Sequence, residues 1–385
     1  MFYPLILTSQ MLNEYTSFRK VFVMVSPQIQ DDMVPAISFA LPFLFAPIIV
    51  FSSLYGGYTI LIAPIFGYVF ITICDFLIKI SLRNPDPNRK KNLVYHKAVL
   101  WVWPLIQFFL IFWCIYVISN HQHLSLVESV FLMMAQGMIT GAVGITFAHE
   151  LMHQKSSKEK WLADILMGMA LYGHFRTEHL LVHHRYVGTD KDAVTAKYDE
   201  SFFSFFLRVL PSCFKSAWDE EVSRLRKINL PGSSLRNPFW RYGILAAIFL
   251  MLSFAIGGSF GVLLFFTQAF IAILHLEMAN YIEHYGLTRK LMSNGKYEPT
   301  KPHHSWNANH TASNLLLINL QLHSDHHAKP DREYPLLQKY DKDQAPQLPF
   351  GYPLMIAICL IPVLWRKVMN PRVDKWREHF YPEFK

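Results

Sequence analysis

Cysteine is scarce in this 385-residue chain. The four cysteines, Cys74, Cys114, Cys213 and Cys359, stand apart from one another, and no CxxC pair occurs. Isolated cysteines in apolar or amphipathic surroundings do not suggest a disulfide framework or a thiolate metal site. The sequence therefore predicts no cysteine-ligated iron within the chain.

Charge is also sparse. Only 17% of residues are charged, whereas 52% are hydrophobic and 15% aromatic, with a mean hydropathy of +0.20. This is more apolar surface than one soluble core usually needs, so most of the chain is expected to lie in a bilayer. The N-terminal MFYPLIL is too short for a signal peptide and lacks a basic flank and a cleavage site, so internal spans must direct insertion.

Six charge-poor stretches approach the ~20 residues that a bilayer crossing requires. They run at 34–54, 57–78, 98–119, 126–148, 240–257 and 259–279. The sequence thus predicts an all-α integral membrane protein with six transmembrane helices. We expect a single membrane-embedded domain, 1–385, because each soluble segment follows directly from a helix.

Positive charge is distributed unevenly between the links. The links after the first, third and fifth spans contain no Lys or Arg. Basic residues concentrate in the second link and after the fourth span: Arg83, Arg89, Lys90, Lys91, Lys97, Lys155, Lys158, Lys160, Arg176, Arg185 and Lys191. By the positive-inside rule, both termini and the segments 149–237 and 280–385 are predicted to be cytoplasmic, with the chain in the inner membrane. The formal charge of +8 then belongs to one membrane face, and no nucleic-acid partner is expected.

The stretch Phe202 to Trp218 mixes phenylalanines with Arg208 and Lys215. This pattern fits an amphipathic segment at the membrane interface. It fits equally well an ordinary helix that covers a cytosolic cap.

Histidine is the abundant residue of interest, because 14 of the 18 histidines fall between His149 and His327. The first cluster is His149-Glu150-Leu151-Met152-His153, whose two histidines at i and i+4 share one helix face and can bind one metal. HExxH is also the zinc metalloprotease pattern, in which Glu150 would be the general base.

Three further clusters make a larger metal site the stronger interpretation: EHLLVHH from Glu178, NYIEHYGL from Asn280, and HSDHH from His323. The candidate ligands are nine: His149, His153, His179, His183, His184, His284, His323, His326 and His327. Adjacent residues on a helix diverge by about 100°, so His183-His184 and His326-His327 are easier to satisfy if each pair serves two ions. Nine imidazoles exceed the ligands of one octahedral ion and leave positions open on two.

Imidazole ligands suit iron, copper, nickel or zinc. Zinc has no redox chemistry, and at a membrane boundary the available substrate is an alkyl chain whose demanding reaction is O2 activation. Iron is therefore the expected metal.

The segments HELMHQK, EHLLVHHR, NYIEHYGL and LHSDHHAKP resemble the histidine boxes of the membrane alkane 1-monooxygenases, as does KPHHSWN from Lys301. The resemblance covers roughly residues 125–372. It implies that the nine histidines bind two irons and that O2 is the co-substrate. It also implies terminal hydroxylation of medium- to long-chain n-alkanes to primary alcohols, with electrons from a rubredoxin and its NAD(P)H-dependent reductase.

Carboxylates beside the boxes are candidates for accepting hydrogen bonds from the histidine ligands, which would fix ring orientation. They are Glu150, Glu178, Asp190, Asp192, Glu283 and Asp325. The sequence does not decide between Asp190 and Asp192. His303, His304 and His310 either line the pocket and relay protons or belong to a buried hydrogen-bonded network, and we favour the network.

Gly67 interrupts a bulky run in the second span. It marks either close helix packing or an opening in an alkane channel, and packing is the commoner reason for a small residue there.

Two alternatives to the alkane enzyme stay open. One is a related membrane desaturase, fatty-acid hydroxylase or xylene-type methyl hydroxylase. The other is a metal-ion transporter or scaffold, but its ligands would be expected near the middle of the spans and not at their ends.

Overall fold

A computed structural model of the chain describes residues 33–88, 92–121 and 123–382. Within these ranges the protein is helical, with two isolated β-bridges and no strand. The predictions that concern Arg89, Lys90, Lys91 and the N-terminal residues 1–32 lie outside the described residues.

Twelve helices organise the described residues. In chain order they are α1 (Ala36–Tyr55), α2 (Gly57–Leu77), α3 (Val94–Asn120), α4 (Leu126–His153), α5 (Ser157–Met169), α6 (175–186), α7 (Phe202–Arg226), α8 (Phe239–His284), α9 (Thr311–Leu316), α10 (His323–Ala328), α11 (Tyr352–Cys359) and α12 (Pro362–Phe380). Five helices in the described ranges, α1 to α4 and α8, are long and apolar enough to cross a membrane. The all-helical prediction and the first four predicted spans agree with these elements.

The 46-residue α8 is not one straight rod. Gly257 and Gly258 leave helical geometry, and Gly258 has φ +58°, a conformation that glycine adopts without steric cost. The rings of Phe249 and Phe265 lie 6.5 Å apart, whereas sixteen residues of straight helix would separate them by about 24 Å. The chain therefore reverses at the two glycines. Two arms, 239–256 and 259–284, lie side by side where the sequence predicts two separate spans.

Glycines bring α4 unusually close to the second arm of α8. A Cβ on Gly137 would lie 2.5 Å from the carbonyl oxygen of Gln268, and one on Gly141 would lie 2.7 Å from that of Ala272. Small residues allow this approach of two helix backbones in membrane proteins. The contact holds the C-terminal end of α4 beside the C-terminal end of α8.

The predicted amphipathic segment forms α7. One face is buried, with Phe202 and Phe205 fully inside the protein, while Phe203 and Leu207 are exposed at 53% and 75%. Helix α7 thus covers the cap with one face and presents an apolar strip on the other. Arg208 forms an ion pair with Glu200.

Candidate metal centre

The nine predicted histidines converge from four elements that are distant in sequence. His149 and His153 lie at the C-terminal end of α4, and His284 is the last residue of α8. The others lie on α6 and α10: His179, His183, His184, His323, His326 and His327. All nine are buried except His153 and His184, which are partly exposed.

The structure divides the nine histidines into two groups. The five-His group contains His149, His153, His179, His184 and His326; the four-His group contains His183, His284, His323 and His327. Within each group, one ring nitrogen per histidine lies within 4.8 Å of all the others. Each group can therefore offer several donors to one ion.

Adjacent histidines go to different groups, as their divergence on a helix predicts. His183 and His184 separate in this way, and so do His326 and His327. In α6 the turn Glu178–His183 is π-helical. This wider turn brings the Nε2 atoms of His179 and His184, five residues apart, within 3.0 Å of each other. Such turns occur often at functional sites.

The spacing of the ring nitrogens fits a metal better than a hydrogen-bonded network. Nε2 of His179 lies 3.0 Å from Nε2 of both His153 and His184. In the four-His group, Nε2 of His327 lies 3.0 Å from that of His323 and 3.2 Å from that of His183. Each Nε2 offers either one N–H or one lone pair, so a single Nε2 cannot form two well-directed hydrogen bonds at once. Nitrogens about 2.1 Å from a shared ion at right angles would be separated by about 3.0 Å.

Burial favours the neutral form of several of these imidazoles. Burial lowers the pKa of His179 well below its usual value, and the neighbouring histidines lower it further. The pKa of His326 and that of His327 shift in the same direction for the same reasons. Neutral rings retain a lone pair for a metal, and no proton has to leave before binding.

Asp192, and not Asp190, contacts a histidine ring. Its Oδ2 lies 3.0 Å from Nδ1 of His183, and the Thr195 hydroxyl donates to the same carboxylate oxygen at 2.7 Å. Asp190 is exposed. Since Nε2 of His183 faces the four-His group, Nδ1 carries the ring proton and donates a hydrogen bond to Asp192. This hydrogen bond fixes the tautomer and the orientation of the ring.

Glu283 approaches the donor side of the four-His group. Its Oε2 lies 3.3 Å from Nε2 of His323, and its Oε1 accepts a 2.9 Å hydrogen bond from the Tyr352 hydroxyl. Nε2 is the ring nitrogen that His323 turns toward the other histidines of its group. The Glu283 carboxylate therefore points to the side where an ion would sit.

The remaining candidate carboxylates have other surroundings. Glu150 accepts hydrogen bonds from Gln154 and from the backbone N–H of Tyr334. Asp325 pairs with Arg332 and also accepts from the Tyr340 hydroxyl. Their observed partners thus hold the cap together.

Glu178 is fully buried, and neither carboxylate oxygen has a hydrogen-bond partner among the described residues. Burial raises its pKa well above the usual value, and the charges of Asp192 and Glu277 raise it further. An unpaired buried carboxylate is costly unless a cation lies nearby or a proton neutralises it. Glu178 is thus a buried acid without a hydrogen-bond partner among the described residues, directly before His179 in the sequence.

Sequence reasoning missed Glu277. It is fully buried in α8, accepts from the Tyr172 hydroxyl at 3.0 Å and from Asn280 at 3.0 Å. A signal was available, because an acid seven residues before His284 in an apolar helix lies on the same helix face.

Glu298, His303 and His304 also lie together. Nδ1 of His304 accepts from the backbone N–H of Lys301 at 2.9 Å, so its Nε2 carries the ring proton and lies 2.6 Å from the Tyr381 hydroxyl oxygen. That hydroxyl in turn donates to Glu298. The lone pair on Nδ1 of His304 is therefore engaged in a hydrogen bond and is not free for a metal. This fits a buried hydrogen-bonded network that connects the C-terminal end of α12 to the cap.

A narrow cavity of about 50 Å³ adjoins both histidine groups. His149, His179, His323 and Glu283 line one end, and apolar side chains and backbone line most of the rest: Gly141, Ala142, Ile145, Phe175, Leu276, Ala279 and Ile356. The lining runs from 141 to 149 on α4 and from 275 to 283 on α8, each about 12 Å of helix. The centre therefore borders a small, mostly apolar space between these two helices.

Gly67 does not line this cavity. A Cβ there would lie 3.4 Å from Phe45 and 3.7 Å from Met138, in ordinary van der Waals contact. The neighbouring Tyr68 reaches the cavity wall, since its hydroxyl lies 2.5 Å from Nε2 of His275.

Apolar membrane-length helices with a buried, divided histidine centre define a multi-pass membrane metalloprotein. Residues 125–358 match the family described as fatty acid desaturase.

Curated relatives narrow the assignment. The chain is 37% identical to alkane 1-monooxygenase 2 of Pseudomonas aeruginosa over 320 residues, 82% of this chain and 83% of that protein. It is 33% identical to alkane 1-monooxygenase of Acinetobacter baylyi over 83% of this chain and 80% of that protein. The xylene/toluene monooxygenase hydroxylase component of Pseudomonas putida is 27% identical over 63% of this chain and 64% of that protein. The chain belongs to the alkane 1-monooxygenase family and is an oxidoreductase.

Proposed function

We propose that the protein uses O2 and two non-heme irons to hydroxylate the terminal methyl of medium- to long-chain n-alkanes, giving primary alcohols. The observation that carries this proposal is that both histidine groups border one small, mostly apolar cavity. The end of an unbranched hydrocarbon suits such a lining, and its terminal carbon would meet the centre first.

The proposed ligands are the five-His group for one iron and the four-His group for the other. When bound, the irons would supply the redox chemistry that activates O2 for insertion into a C–H bond. The protein residues have separate tasks. Asp192 orients His183. The apolar cavity walls exclude water and hold the alkane in a reactive position.

We further propose six membrane crossings, with both arms of α8 spanning the bilayer and the histidine centre on the cytoplasmic side of the inner membrane. The reversal at Gly257 and Gly258 supports the count. The basic residues that follow α4, including Lys155 and Lys158, support the orientation.

Electrons are proposed to come from a rubredoxin, reduced by its NAD(P)H-dependent reductase. A broad groove reaches the partly exposed His153, and two cations of its lining, Lys97 and Arg332, are engaged in ion pairs. Lys155 and Lys329 also line the groove. A small acidic protein would be attracted to these cations. Of the basic residues that follow α4, Arg176 forms an ion pair with Asp164 at 2.6 Å, so we place docking nearer Lys155.

The second candidate is methyl hydroxylation of an aromatic substrate, which the xylene/toluene relative favours. Desaturation or fatty-acid hydroxylation belongs to the same class of chemistry. A transporter or scaffold role is the candidate from another class, but histidines clustered at helix ends do not form a path across a bilayer.

The test is to supply a graded n-alkane series, together with xylene, to cells or reconstituted membranes that contain the protein. Products are identified by gas chromatography and mass spectrometry, and iron is quantified in the same preparation. Primary alcohols with two irons per chain are expected. Conversion of xylene alone, or zinc in place of iron, would overturn the proposal.

A channel along α2 is tested with Gly67→Trp. If Gly67 faces the deep end of the channel, this variant should keep iron and short-alkane turnover but lose the longest substrates. If expression and iron fall together for all chain lengths, Gly67 is a packing contact with Phe45 and Met138.

A further inference from the structure

The cavity beside the centre is too small for the substrate proposed above. A single water needs about 10–15 Å³, so about 50 Å³ accommodates only a few small groups. An extended chain that follows the two lining helices for about 12 Å would include on the order of ten carbon atoms. The rest of a longer alkyl chain must leave through a wall of the cavity.

The wall between α4 and the second arm of α8 cannot open easily. Gly137 and Gly141 place the backbones of the two helices in direct contact along this seam. Separating them would expose tightly packed backbone over about one helical turn. A longer alkyl chain therefore needs a different exit from the cavity.

The wall that faces α2 is held differently. The Tyr68 hydroxyl donates to Nε2 of His275 across 2.5 Å, and Nδ1 of His275 donates to the carbonyl of Ile271. His275 lines the cavity at the end opposite Glu283, and Tyr68 is partly exposed on the outer side. One hydrogen bond between two side chains can break by rotation, whereas the glycine seam cannot.

We propose that Tyr68 and His275 form a gate through which the distal part of a long alkyl chain passes between α2 and the second arm of α8. This inference rests on the proposed alkane substrate. In the closed gate, the two polar groups satisfy each other, so an apolar chain meets no free donor there. Opening leaves both groups without a partner, which penalises substrates long enough to need it.

The experiment compares His275→Ala with wild type on a series from short to long n-alkanes, measuring kcat/KM for each. The variant should raise the ratio of long-chain to short-chain kcat/KM by roughly tenfold, because the blocking group is removed. Iron content should not change. The matched control is Phe266→Ala on the same arm, where the side chain is 48% exposed, and it should leave the ratio unchanged.

Tyr68→Phe is the second variant, because it removes only the hydroxyl and keeps the shape of the wall. It should raise the same ratio by a few-fold even if His275→Ala lowers the yield of folded protein. A readout independent of turnover is the thermal stabilisation of purified protein by each alkane, which should extend to longer chains in both variants.

The gate is overturned if variants with normal iron content keep the wild-type ratio and the wild-type pattern of stabilisation. Failure of the proposed function is distinguishable, because wild-type protein would then hydroxylate no alkane of any length.

Discussion

The two histidine groups differ in what surrounds them. The five-His group includes both partly exposed histidines, His153 and His184, and a groove connects His153 to the outside. The four-His group is fully buried and has carboxylates at two of its rings, Asp192 on His183 and Glu283 on His323. Two groups built from the same side chain therefore have different surroundings. One group is accessible from solvent, and the other is enclosed and anionic.

The largest effect is expected from removing one ligand of the smaller group. His323→Ala would leave three imidazoles there, and we expect loss of about one of two irons and at least a ~100-fold loss of turnover. His183→Ala should behave in the same way. His153→Ala leaves four imidazoles in its group and should retain more metal.

Iron per chain, measured by mass spectrometry of purified protein, checks this difference. His123→Ala is the control, since its Nε2 contacts the carbonyl of Ser53 and it belongs to neither histidine group, so neither iron nor turnover should change. Full iron and turnover in His323→Ala would contradict the ligand assignment.

A smaller effect is expected where a carboxylate supports a ligand. Asp192→Asn removes the anionic acceptor from Nδ1 of His183, and we expect metal affinity to fall about 10- to 100-fold. Competition with a chelator during iron loading measures the change. Asp190→Asn is the matched control two residues earlier. Equal affinity in the two variants would show that the contact with His183 does not tune the four-His group.

The smallest effect concerns the exposed side of the five-His group. Charge reversal of Lys155 and Lys158 together should slow electron transfer from reduced rubredoxin several-fold at low salt, with the difference shrinking as salt rises. Stopped-flow reduction kinetics at two ionic strengths measure it. Lys296→Glu, on a loop after α8, serves as a charge control. An unchanged rate and salt dependence in the double variant would place docking on another face.

Local spacing predicted a large part of this centre. His149 and His153, at i and i+4, do share one group, and the adjacent pairs do divide between the groups. Apolar stretches of membrane length predicted the long helices, although the last two predicted spans form arms of a single element interrupted by Gly257 and Gly258. These features depend on helix periodicity and composition, which are properties of neighbouring residues.

The sequence by itself determined the helical, membrane-type architecture, the nine clustered histidines and the family resemblance, because each of these depends on residues that are close together in the chain. Only the tertiary structure decided which histidines share a group, since His183 meets His327 across 144 positions. It also decided that Asp192 and not Asp190 contacts the ring of His183. Tyr68 and not Gly67 reaches the cavity wall, where it meets His275 across 207 positions. Such contacts depend on how helices far apart in the chain pack, and no local period specifies that packing.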